Sequence, residues 1–303
     1  MFYEGHAILR KITKVRYRAI KLFVFKMLSL FIESVTTKFK NRYHAFVFHL
    51  IFSLIIAGGI LLFAKLLWYP QELIVPSGAL RIFLLVLMVD ACFGPLVTLL
   101  VFSKKKEPKE LKSDFSIIVA LQLCALVYGF YTLFSGRPVF YVFAVDRFEL
   151  VQANHIPVKF LSEEEAGVYS KLPKTGPRWV YAKAPEDNKE RNLLLSWQVQ
   201  YGVDLAQTPK YYEPLDHGAS VIRERVRPLK DLMHSNTKEQ INNEMRAFSL
   251  PVLSIENDVL SNDINDYGYL PLAASKKDLT VIVNKATLDV KGILDLNPWK
   301  ETQ

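Results

Sequence analysis

The chain has 303 residues, half of them hydrophobic, and a formal net charge of +8 at pH 7, which is ordinary for two domains. The excess positive charge lies beside apolar stretches near the N-terminus, whereas residues 137–303 carry 21 basic and 23 acidic side chains, so the charge does not predict nucleic-acid binding. Both cysteines fall within apolar stretches, which excludes paired-cysteine metal sites and a disulfide-held domain.

Residues 1–45 form a basic tail that we expect to be cytoplasmic or interfacial. Residues 22–32 form an apolar patch interrupted by Lys26, which is too short to cross a bilayer. A basic amphipathic helix lying on the membrane surface fits this pattern. The alternative interpretation is that the natural start is Met27.

Three apolar stretches are long enough to cross a bilayer as helices: residues 46–68, 81–102 and 115–134. They predict a three-helix transmembrane domain over residues 46–136. The loop at 103–114 carries five lysines against three acids, and positive loops stay in the cytoplasm. We therefore expect a multi-pass membrane protein with its N-terminus cytoplasmic and residues 137–303 on the opposite side, which fits a periplasmic domain.

The second stretch carries one charge after its first residue, Asp90, close to the expected bilayer midplane. Gly94 and Pro95 follow, and a proline ring removes a donor and crowds the carbonyl four residues back, which predicts a kink near Asp90. An ionised aspartate at this depth costs roughly 2.5 to 3.5 kcal/mol. Gln122 in the third stretch is the expected neutral partner, and Lys65 in the first stretch can reach part of the way.

Gly58 and Gly59 lie at mid-depth in the first stretch. Glycines at such positions let a neighbouring helix approach closely. We keep three roles for Asp90 at this point: it holds the three helices together, it meets a polar group on another protein's membrane helix, or it takes part in proton or ion transport.

Residues 137–303 predict an α+β domain packed on one mainly antiparallel sheet. A long strand is expected at 139–151, or alternatively two pieces meeting at Asp146-Arg147. Further strands are expected at 178–183 and in a hairpin at 279–284 and 288–296. Helices are expected after a Ser162 cap, from 189 to 201 with Asn188 as its cap, and from Asn236 or Thr237 onward. Asp146 and Arg147 form either a simple turn or an exposed contact site.

The sequence predicts no catalytic, cofactor or metal site. The histidines of residues 137–303 are widely separated and none lies in a zinc-ligand spacing or beside a nucleophile motif. Glycine-rich phosphate-binding motifs are also missing from the sequence. A membrane-anchored periplasmic enzyme, or a sensor or transporter subunit that uses Asp90, remains the alternative to a non-enzymatic accessory protein.

Several stretches together resemble the bacterial type IV pilin accessory proteins of the TfpX/TfpZ kind. The resemblance covers about residues 41–303 and rests on NRYHAFVFHL, LLWYP, MVDACFGPLVTLLVF, LQLCALVYGFYTLFSGRPVFYVFAVDRFELV and DLTVIVNKATLDVKGILDLNPW. The pattern Val89, Asp90, Gly94, Pro95 and Leu96 is part of it. The long basic tail before Asn41 departs from the family pattern.

This resemblance implies a chaperone-like accessory factor for type IV pilin biogenesis, with pilin and membrane lipid as its partners. Pilins carry a single apolar helix and a periplasmic globular head. We therefore expect the helices around Asp90 to contact the pilin helix and the α+β domain to recognise the head.

Overall fold

The structure is a computed structural model. It describes residues 41–70, 73–103, 105–251, 255–256, 259–260 and 265–299. The expected interfacial helix in the basic tail and the alternative start at Met27 lie outside these residues.

Three helices are long and apolar enough to cross a membrane. The first is α1, Arg42–Leu67, and the third is α4, Pro108–Ser135. The second runs over Ala79–Val101 and contains α2 (Ala79–Leu87), a π-helix (Met88–Phe93) and α3 (Gly94–Val101). Only 17 to 33% of the most apolar window of each helix is buried. Because so many apolar side chains are exposed, these helices suit lipid better than water.

The strands of the sheet domain occupy ten short segments of the described residues: β1 Pro138–Ala144, β2 Arg147–Gln152, β3 Arg178–Ala182, β4 Tyr212–Pro214, β5 Arg227–Pro228, β6 Ile255–Glu256, β7 Val259–Leu260, β8 Tyr267–Ala273, β9 Leu279–Asn284 and β10 Val290–Leu294. The main sheet has the order β10-β9-β8-β2-β1-β3-β4, with β5 paired to β8, and β6 and β7 form a separate pair.

The main sheet is mixed, so the expectation of a mainly antiparallel sheet is wrong. Two of its joins, β1 with β3 and β2 with β8, are parallel. The hairpin predicted at 279–284 and 288–296 is present as the antiparallel pair β9–β10. The long strand expected over 139–151 is instead two strands, β1 and β2, that pair antiparallel. Alternating hydrophobicity identifies strands and short hairpins, but parallel neighbours are joined through long intervening segments, and that pairing follows from packing rather than from local sequence.

Strand β1 lies inside the sheet and is buried on both faces. Phe140 and Val142 pack into an apolar cluster with Val180 of β3. On the other face, the Tyr141 ring stacks on Trp179 with centroids 4.1 Å apart. Burial on both faces explains why this strand is a continuous apolar run in the sequence.

Helices flank the sheet at α5 (Glu163–Ala166), α6 (Asn188–Tyr201), α7 (Ala219–Arg225) and α8 (Lys238–Ala247). The predicted caps at Ser162 and Thr237 are present, since each side-chain oxygen accepts a backbone N–H of its helix. The cap of α6 is Asp187 rather than Asn188, because the Asp187 carboxylate accepts the N–H groups of the first turn.

The chain divides into two compact units. One contains the described residues up to Ile60 together with Phe83–Phe130. The other contains Leu61–Ile82 and the residues from Tyr131 onward. The sheet therefore forms one unit with the segment that connects the first two apolar helices.

Gln152, at the end of β2, holds this second unit together. Its buried amide donates to the carbonyls of Ser77 (3.0 Å) and Gly136 (2.8 Å). Its oxygen accepts the hydroxyl of Ser275 at 3.2 Å. One side chain thus satisfies buried main-chain carbonyls from two separate connections, which water would otherwise have to solvate.

We expect Gln152→Leu to destabilise the second unit by about 2 kcal/mol or more, because two buried carbonyls lose their donor. For a domain of this size that change lowers the melting temperature by about 4 to 8 °C. Thermal unfolding of the detergent-solubilised full chain measures it. Gln198→Leu, at an exposed position on α6, is the matched control, and equal melting temperatures for the two variants would contradict this role for Gln152.

Candidate functional site

The site begins with the π-helix in the middle of the second apolar helix. The Gly94 N–H donates to the carbonyl of Val89, five residues back. Pro95 has no N–H to offer the carbonyl of Ala91. A wider turn accommodates this loss, and π-helices of this kind occur frequently at functional sites. The distortion predicted near Asp90 therefore takes the form of a π-helix.

The wider turn releases the main-chain carbonyl of Asp90 for a contact with α4. In a regular α-helix this carbonyl would accept the Gly94 N–H. Here the Gln122 side-chain nitrogen, Nε2, donates to it at 3.1 Å. A carbonyl only accepts hydrogen bonds, so the amide must direct its NH₂ group toward Asp90 and its oxygen away from it.

The Gln122 oxygen continues the network to α1. It lies 3.0 Å from His49 Nε2, which must donate because Oε1 only accepts. In the neutral imidazole, Nδ1 is then an acceptor, and it lies 2.7 Å from the Thr98 hydroxyl of α3. His49 and Thr98 are buried. A continuous chain of hydrogen bonds therefore joins all three apolar helices.

Gly94 makes room for this network. A Cβ atom at this position would overlap the Gln122 amide nitrogen and lie 2.7 Å from its Cδ. The amide is held at both ends by its hydrogen bonds, so it has no equally good place to go. A second close approach occurs at Gly129 of α4, where a Cβ would overlap the side chain of Val86.

The carboxyl group of Asp90 takes no part in the network. The residue is 6% exposed, and its Oδ1 is buried without a hydrogen-bond partner among the described residues. Gln122 bonds to the main chain of Asp90 and not to the carboxylate, so the expected pairing of these two side chains is replaced by a side-chain to backbone contact.

Asp90 faces a small cavity of ≈ 50 Å³. Its walls come from α1, the π-helix and α4, and the lining residues are His49, Phe52, Ser53, Ile56, Asp90, Val119, Gln122, Leu123 and Leu126. The volume exceeds the roughly 10 to 15 Å³ that a water molecule needs. The cavity therefore has room for a small polar group beside the carboxyl.

The structure brings together Asp90, Gly94 and Gln122 of the predicted site residues, with Pro95 buried next to them. Gly58 and Gly59 are elsewhere, since a Cβ at either position would meet no heavy atom within 4 Å among the described residues. Lys65 belongs to the other compact unit. Their roles in client binding stay predictions.

His49, Ser53 and Thr98 are site residues that the sequence reasoning missed. The available signal was spacing: Asp90, Gly94 and Thr98 follow one another at intervals of four, and so do His49 and Ser53. Residues four apart share one face of a helix. The expected depth alignment placed Asp90 opposite Gly58, whereas the structure places it against Ser53 and Ile56.

The predicted contact residues of the sheet domain lie at the β1–β2 hairpin. Asp146 is in the turn after Val145, whose φ is +61°, and Arg147 starts β2. Their side chains form an ion pair at 3.6 Å, and Arg147 also lies 3.6 Å from Glu149. Burial raises the pKa of Glu149, and the Arg147 guanidinium partly offsets this effect. Within the described residues, no cluster of histidine, cysteine or acidic side chains is arranged to hold a metal ion.

Comparison with known proteins identifies relatives among the fimbrial assembly proteins of Dichelobacter nodosus. The protein of serogroups C1 and C2 is 33% identical over 108 residues, covering 36% of this chain and 82% of the relative. Those of serogroups I and E1 are 28% and 27% identical, each over 68% of this chain and 84% of the relative. No family model and no solved structure matches the chain.

The chain belongs to the family of these fimbrial assembly proteins. The relatives are named as assembly proteins and not as enzymes. The narrower resemblance to the TfpX/TfpZ kind stays a prediction.

We expect Gly94→Ala to destabilise the helical unit by about 1 to 3 kcal/mol, because the methyl group displaces the Gln122 amide from Asp90 and His49. Gly58→Ala is the matched control, since its methyl group meets open space and alanine favours a helix over glycine. Thermal stability of both variants in the same detergent compares them. Equal stability of Gly94→Ala and Gly58→Ala would show that the network is not structural.

Proposed function

We propose that this protein is a non-enzymatic inner-membrane accessory factor for type IV pilin biogenesis, which binds pilin through its membrane helices and its sheet domain. The observation that carries this proposal is membership of the fimbrial assembly protein family. Three helices long enough to cross a membrane support it. The assembly names of the relatives favour this role over a membrane-anchored enzyme.

The charge distribution supports an orientation with the N-terminus in the cytoplasm. Residues 1–44 contain ten lysine and arginine residues against two acids, and the segment 103–114 contains five lysines. The first segment precedes the first helix and the other follows the second helix, so the two crossings between them place both segments on the same side of the membrane. Positively charged flanks stay on the cytoplasmic side. In this orientation residues 137–303 lie in the periplasm.

The unpartnered carboxyl of Asp90 supports a role in binding. Asp90 lies at the midpoint of the 23-residue second helix, where hydrocarbon surrounds the helix in a bilayer. An ionised carboxylate at that depth costs several kcal/mol and such residues in general mark sites of function. Since the helices are already joined by Gln122, His49 and Thr98, the carboxylate is available to another molecule.

A pilin offers two parts to such a protein: one apolar helix in the membrane and a globular head in the periplasm. The helical unit contacts the first and the sheet domain contacts the second, with the half-buried Asp146–Arg147 turn as a contact of the domain. Holding both parts shields the pilin from aggregation until it is assembled.

We expect the affinity-tagged full chain to co-purify pilin from membranes cross-linked in living cells, because the proposed contacts form before the pilus assembles. Deleting the gene should reduce the number of surface pili, and the intact gene should restore it. An equally abundant, unrelated inner-membrane protein with a periplasmic domain is the control. Normal piliation in the deletion strain, together with no enrichment of pilin over this control, would refute the proposed function.

A further inference from the structure

The cavity beside Asp90 lies between α1 and α4, and we call the two helix faces that line it the groove. Its α1 wall is formed by residues 49, 52, 53 and 56, and its α4 wall by residues 119, 122, 123 and 126. Both sets have the spacing of three, four and seven that marks one helix face. Asp90 of the π-helix lies between these two faces.

We propose that this groove receives a membrane helix of the client and that Asp90 binds a hydrogen-bond donor on that helix. The proposal rests on the proposed function and specifies the chemistry of its site. A hydroxyl or an amine is the class of group that fits, because an ionised carboxylate only accepts hydrogen bonds.

Gln122, His49 and Thr98 are already committed to other partners and do not supply this donor. Gln122 Nε2 is bonded to the Asp90 carbonyl and Gln122 Oε1 to His49. His49 is bonded in turn to Thr98. None of these groups can turn to the Asp90 carboxyl without leaving a buried partner unsatisfied, which costs more than the new bond returns.

The dimensions of the groove favour a helix over a small molecule. The cavity of ≈ 50 Å³ is far below the roughly 300 to 1,000 Å³ of a small-molecule site. Each wall extends over two helical turns, about 10 Å at 1.5 Å per residue. Apart from His49, Ser53, Asp90 and Gln122, the walls are apolar, which matches the flank of a membrane helix with one polar side chain.

Site-specific photo-cross-linking in native membranes tests the position of the client. A benzoylphenylalanine replaces Leu126 or Phe52 in the groove, or their neighbours Val127 and Ile51, which lie at the same depth and are 65% and 52% exposed. With the full chain and the pilin expressed together, we expect at least fivefold more pilin adduct from the groove positions. Equal yields from both sets would overturn the groove.

Variants of Asp90 test the donor. Asp90→Asn keeps an acceptor oxygen and should retain most of the pilin cross-linking from position 126. Asp90→Leu removes the acceptor and should lower this cross-linking about three- to tenfold. That factor corresponds to the loss of one interhelical hydrogen bond in a membrane. Yields are normalised to the amount of folded protein in the membrane. If Asp90→Leu fails to accumulate, Ser53→Val narrows the cavity with Asp90 intact and should cause a similar loss.

The outcomes separate the two proposals. Suppose that pilin co-purifies with the full chain. Equal cross-linking at all four positions, or cross-linking that neither Asp90→Leu nor Ser53→Val lowers, would then overturn the groove and leave the proposed function standing. Absence of co-purification in the unmodified protein, together with normal piliation in the deletion strain, refutes both. A loss caused by Ser53→Val alone would assign the groove to an apolar contact and overturn the role of the donor.

Discussion

The helical unit depends on one hydrogen bond, from the Gln122 amide to the main-chain carbonyl of Asp90. A backbone carbonyl that leaves its helix register in an apolar environment needs a donor, because no water is present to supply one. Pro95 and the π-helix create the need, and Gln122 meets it from the neighbouring helix. Gly94 allows the amide to approach, since any side chain there would occupy the same space.

The second compact unit uses the same device. Gln152 donates to carbonyls of Ser77 and Gly136, which belong to connections that have left their helices. An amide suits both places because it carries two donors and an acceptor without a charge, so its burial is less costly than that of an ionised group. Each unit therefore relies on a glutamine side chain where regular backbone bonding stops.

The sequence predicts the parts of the structure that depend on local composition. Apolar length identified the three long helices, proline chemistry located the distortion at Asp90, and alternation identified the β9–β10 hairpin of the sheet. Parallel pairing of β1 with β3 was missed because the strands meet through long-range packing. His49 was missed because its depth depends on how far the helices slide past each other, and one helix alone does not determine that offset.

The sequence left Asp90 with alternative structural and binding roles, and the structure divides these roles between different atoms of the same residue. Its main-chain carbonyl joins α4 to the second helix, and this function requires no particular side chain. Its side-chain oxygen Oδ1 has no hydrogen-bond partner among the described residues, although an apolar residue could occupy the position at lower cost in a bilayer. A leucine at position 90 would keep the interhelical hydrogen bond and remove the buried charge. Helix association alone therefore gives no reason for an aspartate here, and the carboxyl is better explained by a partner outside the hydrogen-bond network of the described residues.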